Sequence, residues 1–238
     1  MDDLVAAVLD AHGGLPRWRE LTMVRTQLVT TGRLLEMKGV PGSLEPREMS
    51  VWLHEQRASM TPFGPGQRTR FTPDRIAIEK VTGELVAERL DPRDSFAGHS
   101  LDTPWNPLDR AYFNGYAMWT YLTTPFFLAM PGFSAHEIDQ PAEQDEPLRG
   151  LEVTFPPEIV SHCTTQQLYF GEDFLLRRHD YAVEIAGTLR GAQYVCDYIE
   201  AEDIMLPSRR RAYSRAADGK PLLDTVMVSI DISGVEFT

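Results

Sequence analysis

Residues 224–232 have the sequence DTVMVSIDI, and this stretch points directly to the fold. Its apolar β-branched residues occupy every second position and are Val226, Val228, Ile230 and Ile232. Because successive side chains of a β-strand point to opposite faces, this spacing puts all four on one face. The stretch therefore predicts a strand of a sheet-based protein.

Similar runs, separated by turn signals such as Gly64-Pro65-Gly66 and Thr82-Gly83, extend back through the chain. In the second half they cover residues 151–155, 164–170, 174–183, 192–199 and 208–214. In the first half they cover residues 22–31, 49–54, 58–62, 75–80 and 84–90. This rhythm predicts a mainly β fold built from an antiparallel meander.

Two segments interrupt the strands and predict helices. Residues 3–12 form a short N-terminal helix that ends before two glycines, and its apolar side carries Leu4, Val5, Val8 and Leu9. Residues 109–130 form a longer apolar helix, which Asp109 could cap and Pro125 would break. We expect this helix to pack on the sheet.

The apolar helix raises the question of a membrane span. Residues 111–135 contain no charged side chain and no histidine. This uncharged run is long enough to cross a bilayer. The run also contains Asn114, Gly115, Gly132, two prolines and several hydroxyl residues, and ordinary strands flank it. We therefore expect a helix buried in a globular core and no membrane span.

Composition excludes several classes of protein. The 238 residues are 42% hydrophobic and 24% charged, which predicts a single globular domain over residues 1–238. The net charge of −12 argues against nucleic-acid binding. The first residues lack a basic and an apolar signal region, and there are two cysteines, so a cytoplasmic location is expected. The sequence leaves the oligomeric state open.

The apolar helix carries aromatic residues that share one side, namely Tyr112, Tyr116 and Trp119. They could simply fill the core between helix and sheet. They could also form the wall of an apolar cavity, because a buried Tyr or Trp must place its O–H or N–H group near a partner. In either case, this side should face the sheet.

The most polar of the second-half strands is residues 175–181. Period-two geometry puts Arg177, His179 and Tyr181 on one face, and Arg178 and Asp180 on the other. A structural Arg–Asp pair would explain the charges, because buried charges need partners. Alternatively, His179 could act as a general base, or this face could hold the headgroup of a ligand.

Local motifs for cofactors and metals are missing from the sequence. No histidine or cysteine pair has the spacing of a metal site, although His54, His162, His179 and Asp180 could still meet across strands. There is no nucleotide-binding glycine motif and no nucleophile elbow. We therefore expect neither a cofactor nor a metal.

Three segments of the second half resemble a known family. They are residues 167–177 (QLYFGEDFLLR), 192–198 (AQYVCDY) and 203–210 (DIMLPSRR). Together they are similar to the LolA-like lipoprotein carriers. The resemblance implies a curved antiparallel sheet, an incomplete barrel, with one or two helices over its concave face and an apolar cavity between them.

These observations lead to three hypotheses about function. The first is binding of a lipophilic small molecule, with contacts from Tyr112, Tyr116, Trp119, Arg177 and Tyr194. The alternative is a cytoplasmic enzyme, a cyclase, isomerase or dehydratase, acting on a lipophilic substrate through His179, Tyr181, Asp180 and His54. The third is an interaction protein with a filled core. A histidine within reach of a second titratable group would favour the enzyme.

Overall fold

The computed structural model describes residues 3–141 and 146–238. The first six strands lie before the long helix and are β1 (Met23–Thr31), β2 (Ser43–Trp52), β3 (Arg57–Thr61), β4 (Gln67–Thr72), β5 (Arg75–Lys80) and β6 (Leu85–Leu90). The later strands are β7 (Ser134–Ile138), β8 (Arg149–Thr154), β9 (Thr165–Phe170), β10 (Leu176–Val183), β11 (Leu189–Ala201), β12 (Ile204–Arg215) and β13 (Pro221–Phe237).

Within the described ranges these strands form one 13-stranded antiparallel sheet, in the order β6-β5-β4-β3-β2-β1-β13-β12-β11-β10-β9-β8-β7. Consecutive strands are neighbours in the sheet except β6 and β7, and β1 also pairs with β13, which joins the two halves. The two ends, β6 and β7, are edges rather than partners, so the sheet is open. The predicted fold class is confirmed.

The described helices are α1 (Asp3–Ala11), α2 (Leu15–Glu20), α3 (Arg33–Met37) and α4 (Pro107–Thr123). Helix α1 buries its predicted apolar side. Helix α4 packs against β2 to β6 and is buried on all sides from its second turn to its end. Among the described residues, none of the helices has the length and apolar character that a membrane crossing requires.

Close contact between α4 and the sheet depends on Gly115. A Cβ atom at this position would lie 2.4 Å from Cγ of Phe71 on β4. Real Cβ atoms do not approach another atom so closely, because van der Waals repulsion rises steeply at this distance. The glycine therefore lets the helix backbone lie directly on an aromatic ring of the sheet.

The ends of α4 differ from the prediction of residues 109–130. The N-cap is Asn106, whose side chain accepts hydrogen bonds from the N–H groups of Leu108 and Asp109. Asp109 completes a capping box by accepting from the N–H of Asn106 at 2.9 Å, so it is not the cap itself. The helix ends at Thr123, before Pro125, and a 3₁₀ turn at Phe126–Ala129 follows.

Strands β4 and β7 were missed by the sequence reading. In β4 the buried side chains are Thr69 and Phe71, so the apolar alternation is almost invisible in QRTRFT. Strand β7 is an edge strand without a buried side chain. Both strands form because a neighbouring strand supplies their hydrogen bonds, which composition alone does not reveal.

Candidate functional site

A buried polar cluster lies where α4 meets the second half of the sheet; we call it the His162 cluster, and it comprises Tyr116, Tyr121, His162, Tyr181 and Gln193. The Tyr116 and Tyr121 hydroxyls lie 3.2 Å from Nδ1 and 2.7 Å from Nε2 of His162. The hydroxyls of Tyr121 and Tyr181 are 3.0 Å apart, and Gln193 donates to the latter. The histidine therefore connects two tyrosines of one helix to the sheet.

Different elements supply these side chains. Tyr116 and Tyr121 lie on α4, His162 lies in the loop before β9, and Tyr181 and Gln193 come from β10 and β11. The imidazole of His162 stacks on the ring of Tyr181, with centroids 4.2 Å apart and planes 12° from parallel. This stacking fixes the ring plane, so each nitrogen points at a hydroxyl.

Arg210 on β12 connects the His162 cluster to the end of α4. Its guanidinium donates to Oε1 of Gln193 at 2.9 Å and to the carbonyl oxygen of Tyr121 at 2.8 Å. It also lies over the Tyr121 ring, 4.8 Å from the centroid. A cation near a helix C-terminus is favourable, because the last carbonyl groups carry partial negative charge. Burial nevertheless lowers the pKa of Arg210.

Burial keeps the rest of the cluster neutral at pH 7. Loss of solvation, aided by the positive charge of Arg93, lowers the pKa of His162 to about 3. The same loss of solvation raises the pKa values of Tyr116 and Tyr181 well above their ordinary value. A neutral imidazole has one donor and one acceptor nitrogen, so one hydroxyl donates to it and the other accepts from it. Such a chain can pass a proton along, but it holds no charge at rest.

We expect acid to destabilise the fold through His162. Between the ordinary histidine pKa near 6.5 and the folded value of about 3, the unfolded chain binds the proton and the folded chain does not. The contribution of His162 to the free energy of unfolding is therefore fully present above pH 6.5. It falls by about 1.4 kcal/mol for each pH unit below that value. Urea unfolding of the wild type and His162→Gln between pH 7 and pH 4 measures the difference in slope.

His136→Gln is the matched control, because His136 is a mostly exposed histidine on the edge strand β7. It should leave the pH dependence of the wild type unchanged. Parallel slopes for the wild type and His162→Gln would contradict a buried neutral His162.

His179 lies beside the cluster without joining its hydrogen-bonded chain. Its Nε2 donates to Oε1 of Gln166 at 2.7 Å, and its ring contacts Tyr181 edge to face with centroids 4.9 Å apart. Within residues 3–141 and 146–238, its Nδ1 has no hydrogen-bond partner. Burial lowers its pKa well below the ordinary value. Of the predicted catalytic residues, only Tyr181 lies within the cluster and His179 adjoins it.

Asp180 is separated from His179, because the two side chains lie on opposite faces of β10. Its carboxylate accepts two hydrogen bonds from Arg178, at 2.7 and 2.8 Å, and one from Arg215 at 2.6 Å. Asp180 therefore does not contact His179, and its predicted catalytic role stays a prediction. The Arg–Asp pair offered as the structural alternative is present, formed within one strand.

Arg177 is also displaced from the predicted face. The pairing of β10 with β9 shifts between Leu176 and Arg178, so a bulge interrupts the alternation at Arg177. As a result Leu176 is buried in the core, and Arg177 stays half-buried, donating to Asp173 at 2.6 Å. The bulge therefore breaks the regular alternation that would put Arg177 on the same face as His179 and Tyr181, and its role as a ligand contact stays a prediction.

The remaining predicted residues are scattered. His54 is exposed at the β2–β3 turn and donates to the carbonyl oxygen of Leu21 at 2.7 Å. The guanidinium carbon of Arg178 lies 5.6 Å from the centroid of the Tyr194 ring. Tyr112, Tyr116 and Trp119 are all completely buried. In the part of the chain that the structure describes, no cluster of three or more His, Cys, Asp or Glu residues could hold a metal.

Sequence reasoning missed the residues that complete the cluster, which are Tyr121, Gln193 and Arg210, and gave His162 only a possible metal role. In the run Arg209-Arg210-Arg211, strand geometry puts Arg210 on the face opposite to its two neighbours. That same alternation was the available signal. One face of β12 is buried, so the middle arginine needed an internal partner.

The space between α4 and the sheet is packed with side chains rather than open. A cleft of about 290 Å³ lies outside it, lined by Arg93, Cys163 and Glu184 among others. Arg93 donates to the carbonyl oxygen of Ser161 at 2.9 Å and to Glu184 at 2.5 Å. Arg93 bonds the residue before His162, and the N–H of Glu184 donates to the carbonyl oxygen of His162 at 3.1 Å, so this ion pair adjoins the His162 cluster.

Comparison with known proteins rests on structure alone, because no family model and no curated protein matches the sequence. A LolA superfamily protein from Nitrosomonas europaea superposes with a TM-score of 0.53 at 14% identity, covering 98% of this chain and 92% of that chain. The chain has a LolA-like fold. A domain described as an outer membrane lipoprotein-sorting protein, from Vibrio parahaemolyticus, gives 0.56 at 9% identity, covering 99% and 91%.

A third structural neighbour is a DUF1329 family protein from Desulfovibrio piger, with a TM-score of 0.52, 11% identity, and coverage of 99% of this chain and 94% of that chain. The match extends over nearly the whole chain in each case, including the first half, where the sequence shows no resemblance. The predicted LolA-like fold is confirmed, and identities this low establish the fold alone.

Proposed function

We propose that this protein binds a lipophilic small molecule between α4 and the concave face of the sheet. The observation that supports this proposal is the poor pairing of polar side chains on a completely buried helix. In the described ranges, Asn114 donates only to the thioether sulfur of Met60, at 3.6 Å. Within the same part of the chain, Nη1 of Arg110 is buried without a hydrogen-bond partner.

Unpaired polar groups in a core lower stability by about 1–3 kcal/mol each. A helix that served only to fill the core would carry apolar side chains at these positions. Ligand pockets, in contrast, combine apolar walls with a few polar groups that orient the ligand. The fold supports the same function, because a neighbour of this fold is described as a lipoprotein-sorting domain. Since side chains fill this space, α4 must shift away from β2–β6 to admit the ligand.

The test is equilibrium binding of hexadecan-1-ol, measured by displacement of an apolar fluorescent dye. We expect saturable binding by the wild type. Asn114→Phe fills the space between α4 and Met60 and should weaken binding at least tenfold. The matched control is Val86→Phe, which adds the same side chain at an exposed position of edge strand β6. No saturable binding, or equal binding by both variants, would contradict the proposal.

The His162 cluster favours a second function, an enzyme that acts on a lipophilic substrate. Tyr121, His162 and Tyr181 form a hydrogen-bonded chain that could move a proton in a cyclisation, isomerisation or dehydration. Turnover that disappears in Tyr121→Phe, without loss of ligand binding, would identify an enzyme. Unchanged ligand after incubation with the wild type would leave binding as the function.

Several predictions complete this proposal. The partner is a lipophilic small molecule rather than nucleic acid, and neither a cofactor nor a metal is required. The chain folds as a single domain in the cytoplasm. Limited proteolysis of the native protein tests the single domain, and cell fractionation tests the cytoplasmic location.

A further inference from the structure

A narrow slot lies between the first turns of α4 and the sheet. Its walls include Leu28 of β1, Arg47 of β2, Met60 of β3 and Arg110 of α4. The free volume is about 10 Å³, close to the space that one buried water molecule needs. Leu28 and Met60 belong to the hydrophobic core, so the slot is apolar on one side and cationic on the other.

Arg110 has an unusual environment for an arginine. It is 7% exposed, its Nη1 atom is buried, and within the described ranges that atom has no acceptor. Burial and the positive charge of Arg47 lower the pKa of Arg110 to about 9. Arg47 itself is half-buried and donates at 3.3 Å to the carbonyl oxygen of Phe63.

The acidic residue nearest to the slot does not neutralise these arginines. Glu45 lines the mouth of the slot but is exposed, and in the part of the chain that the structure describes it forms no ion pair with Arg47 or Arg110. Two guanidinium groups therefore act on one buried space with no carboxylate between them. This arrangement is unfavourable for the protein alone, because a buried charge without a partner loses its hydration.

We infer that the lipophilic ligand carries a carboxylate, which binds Arg110 and Arg47 in this slot while its hydrocarbon chain lies along Leu28 and Met60. This inference rests on the proposed function and specifies the class of ligand. A carboxylate matches the planar guanidinium group through two parallel hydrogen bonds. The slot must widen as α4 shifts to admit even this small headgroup, and a bulkier phosphate ester would need a larger opening.

The test compares hexadecanoic acid with hexadecan-1-ol, which have the same chain length and differ at the headgroup. We expect the wild type to prefer the acid by about 10- to 100-fold, because hydrogen bonds to a charged group are the stronger ones. Arg110→Met should bring the ratio of the two affinities close to one. Arg47→Gln should reduce the ratio by a smaller factor, because Arg47 is only half-buried.

The melting temperature provides a second measurement. Without ligand, Arg110→Met should melt at the same or a higher temperature than the wild type, because the variant removes an unpaired buried charge and keeps the volume. Glu45→Gln is the matched control at the mouth of the slot. It should not change the melting temperature. Its preference for the acid over the alcohol should equal or exceed that of the wild type.

Each outcome separates this inference from the proposed function. Equal affinity for acid and alcohol in the wild type would overturn the carboxylate and leave lipophile binding in place. A lower melting temperature of Glu45→Gln would also overturn the carboxylate, because Glu45 would then be the partner of the two arginines. Inorganic phosphate that competes with the acid at equal concentration would indicate a general anion site instead. Binding of neither acid nor alcohol would overturn both ideas.

Discussion

Replacing Asp180 with alanine is expected to lower the free energy of unfolding by about 3–5 kcal/mol. The Arg178 and Asp180 side chains are each about 1% exposed and share two hydrogen bonds, and Arg215 donates a third to the carboxylate. Removing the carboxylate takes two charge-assisted hydrogen bonds away from the buried Arg178 guanidinium. Urea denaturation at pH 7 measures the loss.

Asp173→Ala is the matched control for this change. Asp173 pairs with Arg177 on the same hairpin, but the two side chains are 48% and 36% exposed. An exposed pair contributes about 0–1 kcal/mol, so this variant should remain close to the wild type. A stable Asp180→Ala protein that has lost ligand binding or turnover would show that Asp180 is functional rather than structural.

Replacing Trp119 with alanine should lower the free energy of unfolding by about 3–5 kcal/mol as well. Trp119 is completely buried, and its indole N–H donates to the carbonyl oxygens of Trp52 at 3.0 Å and Glu55 at 2.8 Å. The variant removes the ring that fills the space between α4 and the β2–β3 turn, and it leaves two carbonyl groups without their donor. Chemical denaturation followed by far-UV circular dichroism measures the effect.

Trp52→Ala separates the position from the residue type. Trp52 is only partly buried, and its ring stacks on the guanidinium of Arg57 at 4.1 Å. A loss well below that of Trp119→Ala is expected here, because less apolar surface returns to water. If both variants lost the same stability, the position of Trp119 under α4 would not explain its effect.

Burial of side chains was predictable in segments with a regular apolar spacing, because the face on which each side chain lies follows from local geometry. In β13, Val228, Ile230 and Ile232 are buried as the period of two requires. In α1, the predicted apolar residues are the buried ones. The resemblance of residues 167–210 to LolA-like carriers covered only the second half, yet the structural similarity extends over nearly the whole chain.

The candidate site was harder to predict, and β10 shows why. Period-two reasoning correctly put Tyr181 with His179 and put Asp180 with Arg178, but the bulge at Arg177 broke the pattern by a single residue. Bulges depend on how the neighbouring strand pairs, and that information lies in β9 rather than in β10. The partners of His162 come from α4, β10 and β11, so no spacing along the chain relates them.

The sequence by itself determined the strands other than β4 and β7, the two main helices and the burial of residues 111–123, because hydrophobic periodicity is a local property that each segment carries alone. Only the tertiary structure decided which polar side chains meet inside. Tyr121, His162 and Tyr181 touch because a helix crosses strands far from it in the chain. Arg110 faces Arg47 for the same reason. The physical cause is that a buried polar group must find its hydrogen-bond partners among the groups that the fold brings next to it.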